Sequence, residues 1–452
     1  QGRDGARQQK TRTNEALESS CGMTTPLKIG IAGLGTVGAG TVDVLNTHGT
    51  QLIHRAGRPL EITAVSARDK SKDRGVDLSG VTWHDDPIAL ASDPNVDLVA
   101  ELIGGSDGIA KDLCEAALAA GKHVVTANKA LIAHHGTVLA GTAETNSACL
   151  AYEAAVAGGI PIIKALREGL AANRIDSLYG ILNGTCNYIL TNMAESGREF
   201  EDVLDEAQQL GYAEADPSFD IDGVDAAHKL AILASLAFGT AVDFGGVHVE
   251  GIRHVSPIDI EFAAELGYGI KLLGVARRTD AGIEQRVHPC MVPVDAPINH
   301  VRGVFNAVEV VGDFVDRTIY QGRGAGAGPT ASAVVADIID IARGGRVPAF
   351  GVPTAALKPA ATVAMESHQG PYYVRLMLVD EPGVFAGIAA SLSDHSVSME
   401  SVLQRGRAPG EPVPVVMTVH DTKEADMVKT LDDIAGLSAV VETPRMIRIE
   451  MV

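Results

Sequence analysis

The chain has 452 residues, too many for one ordinary domain and enough for two or three. Hydrophobic residues make up 46% and charged residues 21%, while aromatics are scarce at 4% and 49 glycines suit an α/β protein with many tight turns. A net charge of −20 argues against nucleic acid or an anionic membrane as partner, and leaves room only for a local basic pocket that takes a phosphate.

Residues 1–22 are polar and lack the apolar centre of a secretory signal, so they are expected to be a disordered extension before Met23. Leu27 to Ala32 (LKIGIA) is an apolar run that reads as a buried parallel strand. Gly33, Gly35 and Gly38 follow as G-x-G-x-x-G, with Thr36 and Val37 in the turn, and a helical stretch runs to about His48. Such glycines let a pyrophosphate approach the free amides of a helix N-terminus, so this is a candidate dinucleotide loop. The next strand, Leu60 to Ala67, ends in Arg68-Asp69-Lys70. Arg68 at that tip favours a 2′-phosphate and NADP(H); Asp69 keeps NAD(H) open. Val96 to Ile103, ending at Gly104 and Gly105, and Lys122 to Ala127 read as further strands, with a helix, DLCEAALAAGK, between them; Ala148 to Ala151 is a last short candidate. Strands alternating with helices predict a doubly wound, Rossmann-like sheet, with Gly104 bordering the nicotinamide side of its crevice.

From about Glu153 the pattern changes to longer strands (RIDSLYGILNG, KLLGVARR, NAVEVVGD) among several helices, a mixed α+β second domain. GRGAGAGP at Gly322–Pro329 leads into an apolar helix, TASAVVADIIDIAR, which is expected to complete the nucleotide domain from about residue 325 to 345. The boundaries predicted are 23–152 for the nucleotide domain, 153–324 for the second domain, a proline-bearing linker at 346–370 and a separate unit at 371–452. That last unit reads strand, helix, strand, strand, helix, strand, the ferredoxin-like order.

Five cysteines at scattered positions make no metal-ligand spacing and fit a reducing, cytoplasmic setting. No run is long and apolar enough for a transmembrane helix.

The stretch Glu214 to Lys229, EADPSFDIDGVDAAHK, carries five carboxylates ahead of one lysine and then turns apolar, LAILASLAF. If Asp222 to Phe238 is helical, Asp225 and Lys229 share a face one turn apart, with Asp222 as N-cap. The reading is a lysine ringed by acids at the mouth of a buried helix, a setting that binds an ammonium group and tunes a lysine for proton transfer. His228 points elsewhere and reads as structural. A calcium loop starting at Ser218 fails, because its last position, which needs a bidentate glutamate, is Lys229.

The spacing Ala207-x-x-x-Gly211-Tyr212-Ala213-x-x-Asp216-Pro217-x-x-Asp220-Ile221-x-Gly223-x-Asp225-x-x-x-Lys229 resembles the signature of homoserine dehydrogenases. The resemblance extends over residues 27–452 through the nucleotide loop, Thr126-Ala127-Asn128-Lys129, Tyr152 to Pro161, Asn183-Gly184-Thr185-x-Asn187 and the glycine-rich loop at 322–328. Gly108, where the family often has proline, departs from it, as does the polar extension. The resemblance implies reversible NAD(P)H-dependent reduction of aspartate 4-semialdehyde to L-homoserine, in threonine, methionine and isoleucine biosynthesis. It gives Lys229 the proton, places Lys129 on substrate and cofactor, and has Glu214, Asp220 and Asp225 hold the substrate. Gly211, Glu214, Gly324, Gly326 and Gly328 would line the cofactor cleft. Oxygens of Glu153, Val156, Gly158 and Ile160 would hold Na⁺. The C-terminal unit, with Asp380-Glu381-Pro382-Gly383-Val384, resembles an ACT domain, which implies feedback by an amino acid, in the first place threonine; Gly383 would admit its carboxylate to a helix start. A homodimer or homotetramer is implied. A competing reading is an NAD(P)-binding amino-acid sensor without turnover, against which the two intact lysines speak.

Overall fold

The computed structural model describes residues 25–405 and 410–452; the extension at 1–22 lies outside them. They fall into two compact units. The first takes residues 25–131 with Val138–Ala154 and Gly326–Ala349; the second takes Ile132–Thr137, Ala155–Ala325 and Phe350–Val452.

The first unit is built on six parallel strands: β1 (Leu27–Ala32), β2 (Leu60–Ser66), β3 (Thr82–His84), β4 (Leu98–Glu101), β5 (His123–Thr126) and β6 (Leu150–Ala151). Their order in the sheet is β3-β2-β1-β4-β5-β6. β1 pairs with β2 from Leu27↔Leu60 onward and with β4 through Ile31↔Ala100. Chain order therefore reverses at β1, and the ends of β1 and β4 define the crevice where such sheets take ligands. Ile29, Ile31, Leu98 and Val125 are fully or almost fully buried, as strands covered on both faces require. The helix Ala327–Ala342 packs on the helix Thr36–Thr47, and Val334 and Ile338 join the core of β1 and β4. It begins inside the glycine-rich loop, earlier than its apolar run suggests.

In the second unit the strands are β7 (Ile175–Ile181), β8 (His248–Val249), β9 (Tyr268–Thr279), β10 (Gly282–Pro293), β11 (Phe305–Gly312), β12 (Asp316–Arg323), β13 (Gln369–Val379), β14 (Met399–Gln404), β15 (Pro412–Lys423) and β16 (Arg445–Ile449). All belong to one sheet, in the order β12-β11-β7-β9-β10-β16-β13-β15-β14, with β8 beside β10. β9 and β10 form a hairpin in register from Gly282↔Thr279 to Pro293↔Tyr268. The C-terminal strands keep the ferredoxin-like order β16-β13-β15-β14, but they are not a free-standing sheet. β16 adds in parallel to β10 at Cys290↔Arg448 and Met291↔Ile449. The helix Val224–Phe238 lies against β7, β9 and β10 and buries Leu230, Ala231, Ile232 and Leu233.

Candidate active site

In the first unit the dinucleotide loop follows β1 directly. Gly33 has φ +94°, and a Cβ there would meet the Leu102 carbonyl oxygen at 2.5 Å. At Gly38 a Cβ would lie 1.9 Å from the Gly33 carbonyl oxygen, so that turn closes only on glycine. At Gly35 the same position opens on empty space, where a phosphate can approach. Exposed Thr36 and half-buried Val37 start the helix and offer its unpaired amides. Arg68 is exposed just past β2. Asp69 accepts from the Ser71 hydroxyl at 2.6 Å and the Ser71 amide at 2.8 Å, and those bonds hold its carboxyl below the usual range. Arg74, which sequence reading missed, donates from Nε to the Leu34 carbonyl at 3.1 Å and sits 5.6 Å from the Trp83 ring centroid. It ties the loop after β2 to the dinucleotide loop, and only tertiary contact reveals it.

A second network fixes the end of β4. Glu101 is fully buried; its Oε1 accepts from the amides of Ile103 (2.8 Å) and Gly104 (3.0 Å), and its Oε2 from Thr126 Oγ1 at 2.6 Å. Asn128 donates to the Gly105 carbonyl at 2.6 Å and caps the helix Lys129–Thr145 by accepting from the Leu131 amide at 3.1 Å. Half-buried Lys129 is thus held at the first position of a capped helix, beside the strand ends. Glu101 carries no role in the sequence reading; its one signal is an acid inside an apolar run. Exposed Gly326 and Gly328 open the helix Ala327–Ala342, and buried Glu153 donates its backbone amide to Asp337 Oδ2 at 2.8 Å.

The second unit holds the lysine of the acidic stretch. Lys229 Nζ donates to Asp225 Oδ2 and to the Leu182 carbonyl, both at 2.7 Å, and both side chains are buried. Asn183 Nδ2 donates to Asp225 Oδ2 (2.9 Å) and to Asp220 Oδ1 (2.8 Å). Thr185 Oγ1 lies 3.3 Å from Asp220 Oδ2 and 2.8 Å from the Tyr212 carbonyl. Burial, then the charge of Asp225, pushes the Asp220 carboxyl up. Asn183 holds its own place by capping the helix Gly184–Ser196.

The ring of acids is smaller than the sequence suggests. Only Asp225 touches Lys229. Asp222 pairs with Arg253 instead, and Asp216 accepts from the Ser218 amide at 3.1 Å. Nor is Asp222 the N-cap: Ser218–Ile221 forms its own short helix, and Gly223, at φ +86°, starts the next one at Val224. Glu214 is on an exposed loop, where its carbonyl accepts from Gln208 Nε2 at 2.9 Å, and Gly211 is exposed after the helix Phe200–Gln209. His228 packs its ring 4.2 Å from Phe244 and places Nε2 3.3 Å from His134 Nε2.

The turn Val156–Ile160 buries Val156 and Ile160 and passes through Ala157 and Gly158 at φ +54° and +47°. A Cβ on Gly158 would meet the Gly324 carbonyl oxygen at 2.5 Å.

Two family descriptions match the chain: "Homoserine dehydrogenase, NAD binding domain" over residues 33–153 and "Homoserine dehydrogenase" over 161–339. The homoserine dehydrogenase of Pseudomonas aeruginosa is 46% identical over 426 residues, which covers 92% of this chain and 98% of that protein. The Neisseria gonorrhoeae enzyme of the same name is 47% identical over 431 residues, covering 94% and 99%. The chain belongs to the homoserine dehydrogenase family. It is an NAD(P)-dependent oxidoreductase, and its first unit is the family's nucleotide-binding domain. The crystal structure of a homoserine dehydrogenase from Thiobacillus denitrificans superposes with a TM-score of 0.90 at 44% identity, covering 95% of this chain and 99% of that one. A hyperthermophilic archaeal homoserine dehydrogenase solved with NADPH matches at a TM-score of 0.60 and 27% identity, over 70% of this chain and 97% of its own.

Proposed function

We propose that this homoserine dehydrogenase reduces L-aspartate 4-semialdehyde to L-homoserine, reversibly, with Lys229 giving the proton to the aldehyde oxygen. The observation that carries the reading is the setting of Lys229. Two of its three donors go to Asp225 and to the Leu182 carbonyl, and among the described residues none takes the third. Nicotinamide, when bound, supplies the hydride. As the aldehyde is reduced, negative charge gathers on its oxygen, and a buried ammonium aimed there both stabilises that charge and donates the proton. Asp225 fixes the position of the ammonium through its 2.7 Å hydrogen bond. Glu214, Asp220 and Asp225 take the substrate's ammonium and polar groups, and Lys129 contacts substrate and cofactor.

The loop at Gly33–Gly38, with its opening at Gly35, suits a pyrophosphate, and Arg68 supports NADP(H) over NAD(H). Glu153 with the turn Val156–Ile160 supports a Na⁺ site, since a tight turn of buried backbone offers carbonyl oxygens to a hard cation. The C-terminal strand order supports an ACT-type regulatory domain, with Gly383 at φ +96° opening the helix Val384–Asp394 to an amino acid such as threonine.

Lys229→Ala tests the central assignment. Turnover should fall about 10²- to 10⁴-fold, the usual share of a positioned acid, while NADPH binding is kept. A near wild-type kcat in a folded variant overturns it.

A further inference from the structure

A cavity of about 310 Å³ opens beside the first half of β10, and Lys229 is not among its lining residues. Its position follows from strand pairing. Ile283 bridges to Thr362, and Arg286 pairs with His248 of β8, so β10 is uncovered on that edge between them. The segment through Thr362 closes in tightly: a Cβ on Gly282 would lie 2.0 Å from the Ala361 carbonyl oxygen.

The lining is polar and buried. Arg286 is 1% exposed, His368 4%, Gln285 5% and Glu284 9%. Arg286 Nε and Nη2, Glu284 Oε2, Gln285 Oε1 and His368 Nδ1 make no hydrogen bond among the described residues. Native interiors leave few such atoms unmatched, and those that remain mark water, ions or ligands. Glu284 Oε2 is 3.6 Å from Arg286 Nε and 3.5 Å from His368 Nδ1, close enough to attract and not bonded. A metal centre further along β10, at His288, Cys290 and Glu450, is ruled out by charge: Arg286 Nη1 donates to His288 Nε2 at 3.0 Å and to Glu450, placing a cation where a metal would sit.

Glu284 and Arg286 lie two residues apart on one face of β10. They offer a buried carboxylate and a buried guanidinium to one small space. The complementary ligand carries an ammonium and a carboxylate on neighbouring atoms. We propose that this cavity binds a free α-amino acid, its ammonium on Glu284 and its carboxylate on Arg286 Nη2, with His368 completing the polar contacts. The site is separate from the helix start at Gly383. Because Arg286 also holds Glu450, occupancy bears on the pairing of β10 with the C-terminal strand.

The test is calorimetric titration of the full-length protein with glycine, L-alanine, L-threonine and L-isoleucine, and with propionate and propylamine as half-ligands. At least one amino acid should bind, and both half-ligands about tenfold or more weakly. Glu284→Gln and the rim variant Ala364→Phe should each weaken binding about tenfold or more, with far-UV dichroism and turnover kept. Should Glu284→Gln fold poorly, Ala364→Phe decides. Failure of every amino acid to bind, or wild-type affinity in the variants, overturns the site. Amino-acid inhibition that persists in both variants, with binding affinity and stoichiometry unchanged, leaves feedback through the ACT-type domain standing and removes this site. Binding lost in the variants without any inhibition in the wild type does the reverse.

Discussion

Lys229 and Asp225 are one turn apart on a buried helix and share a hydrogen bond of 2.7 Å, while Asn183 donates to the same Asp225 oxygen. The acid is therefore fixed from two sides, and the lysine is fixed by the acid. Asp225→Asn keeps the shape and removes the charge. Losing a hydrogen bond to a charged partner costs about 1.5–3 kcal/mol, so kcat should fall roughly ten- to hundredfold. A near wild-type kcat in the folded variant would show that Asp225 does not support the proton donor.

Arg68 is exposed at the end of β2, and Arg74 ties that loop to the Leu34 carbonyl. Arg68→Gln should raise KM for NADPH about tenfold, a charge-assisted contact, and leave KM for NADH nearly unchanged. Equal effects on both cofactors would place the 2′-phosphate elsewhere.

Lys271 is buried on β9, where Nζ donates to the Val301 carbonyl at 2.6 Å and to Asn187 Oδ1 at 3.2 Å. Burial, then Arg302, pushes its ammonium down to about 8. The folded chain thus releases this proton more easily than the unfolded chain, whose lysine titrates near 10.4. The contribution to stability is full above about pH 10.4 and is lost as pH falls through about 8. Urea unfolding of the wild type and Lys271→Met, compared at about pH 7 and about pH 10, should show the wild type gaining on the order of 1–3 kcal/mol relative to the variant. Parallel pH profiles would refute it.

Arg448 on β16 joins both sides of the seam with β10. It donates to Glu424, which is buried, and to both carboxylate oxygens of Glu250 at 2.8 and 2.9 Å. Burial opposes the charge of Glu250, but bonds from His248 and Arg448 outweigh it and hold the carboxyl well below the usual range. Its contribution is therefore present above the ordinary glutamate value and is lost only as pH falls far below it. Arg448→Met leaves a buried carboxylate uncompensated and should cost about 3–5 kcal/mol at neutral pH. A shift in the urea midpoint too small for that would mean the seam relaxes around the lost cation.

β1 and β4 of the first unit were legible because they are largely buried and mostly apolar. β10 was not, since Glu284, Gln285, Arg286 and His288 interrupt its pattern although all four are buried. β3 and β8, at three and two residues, are too short to show a period. In the site, the helical spacing of Asp225 and Lys229 could be read locally. The bonds of Asn183 and Thr185 to Asp220 and Asp225 could not, because they join segments far apart in the chain. Asp222 misled for a conformational reason: a left-handed Gly223 breaks the helix that its capping chemistry seemed to open.

One edge of β10 receives three segments in turn, Thr362, β8 and β16. All but β8 are translated well after the hairpin that contains β10. During synthesis the stretch of that edge at Cys290 and Met291 lacks its partner, with amides and carbonyls able to template a foreign strand, until β16 emerges. The seam makes late arrival at the ribosome exit a hazard for the nascent enzyme, and chaperone demand should concentrate on the interval between β10 and β16.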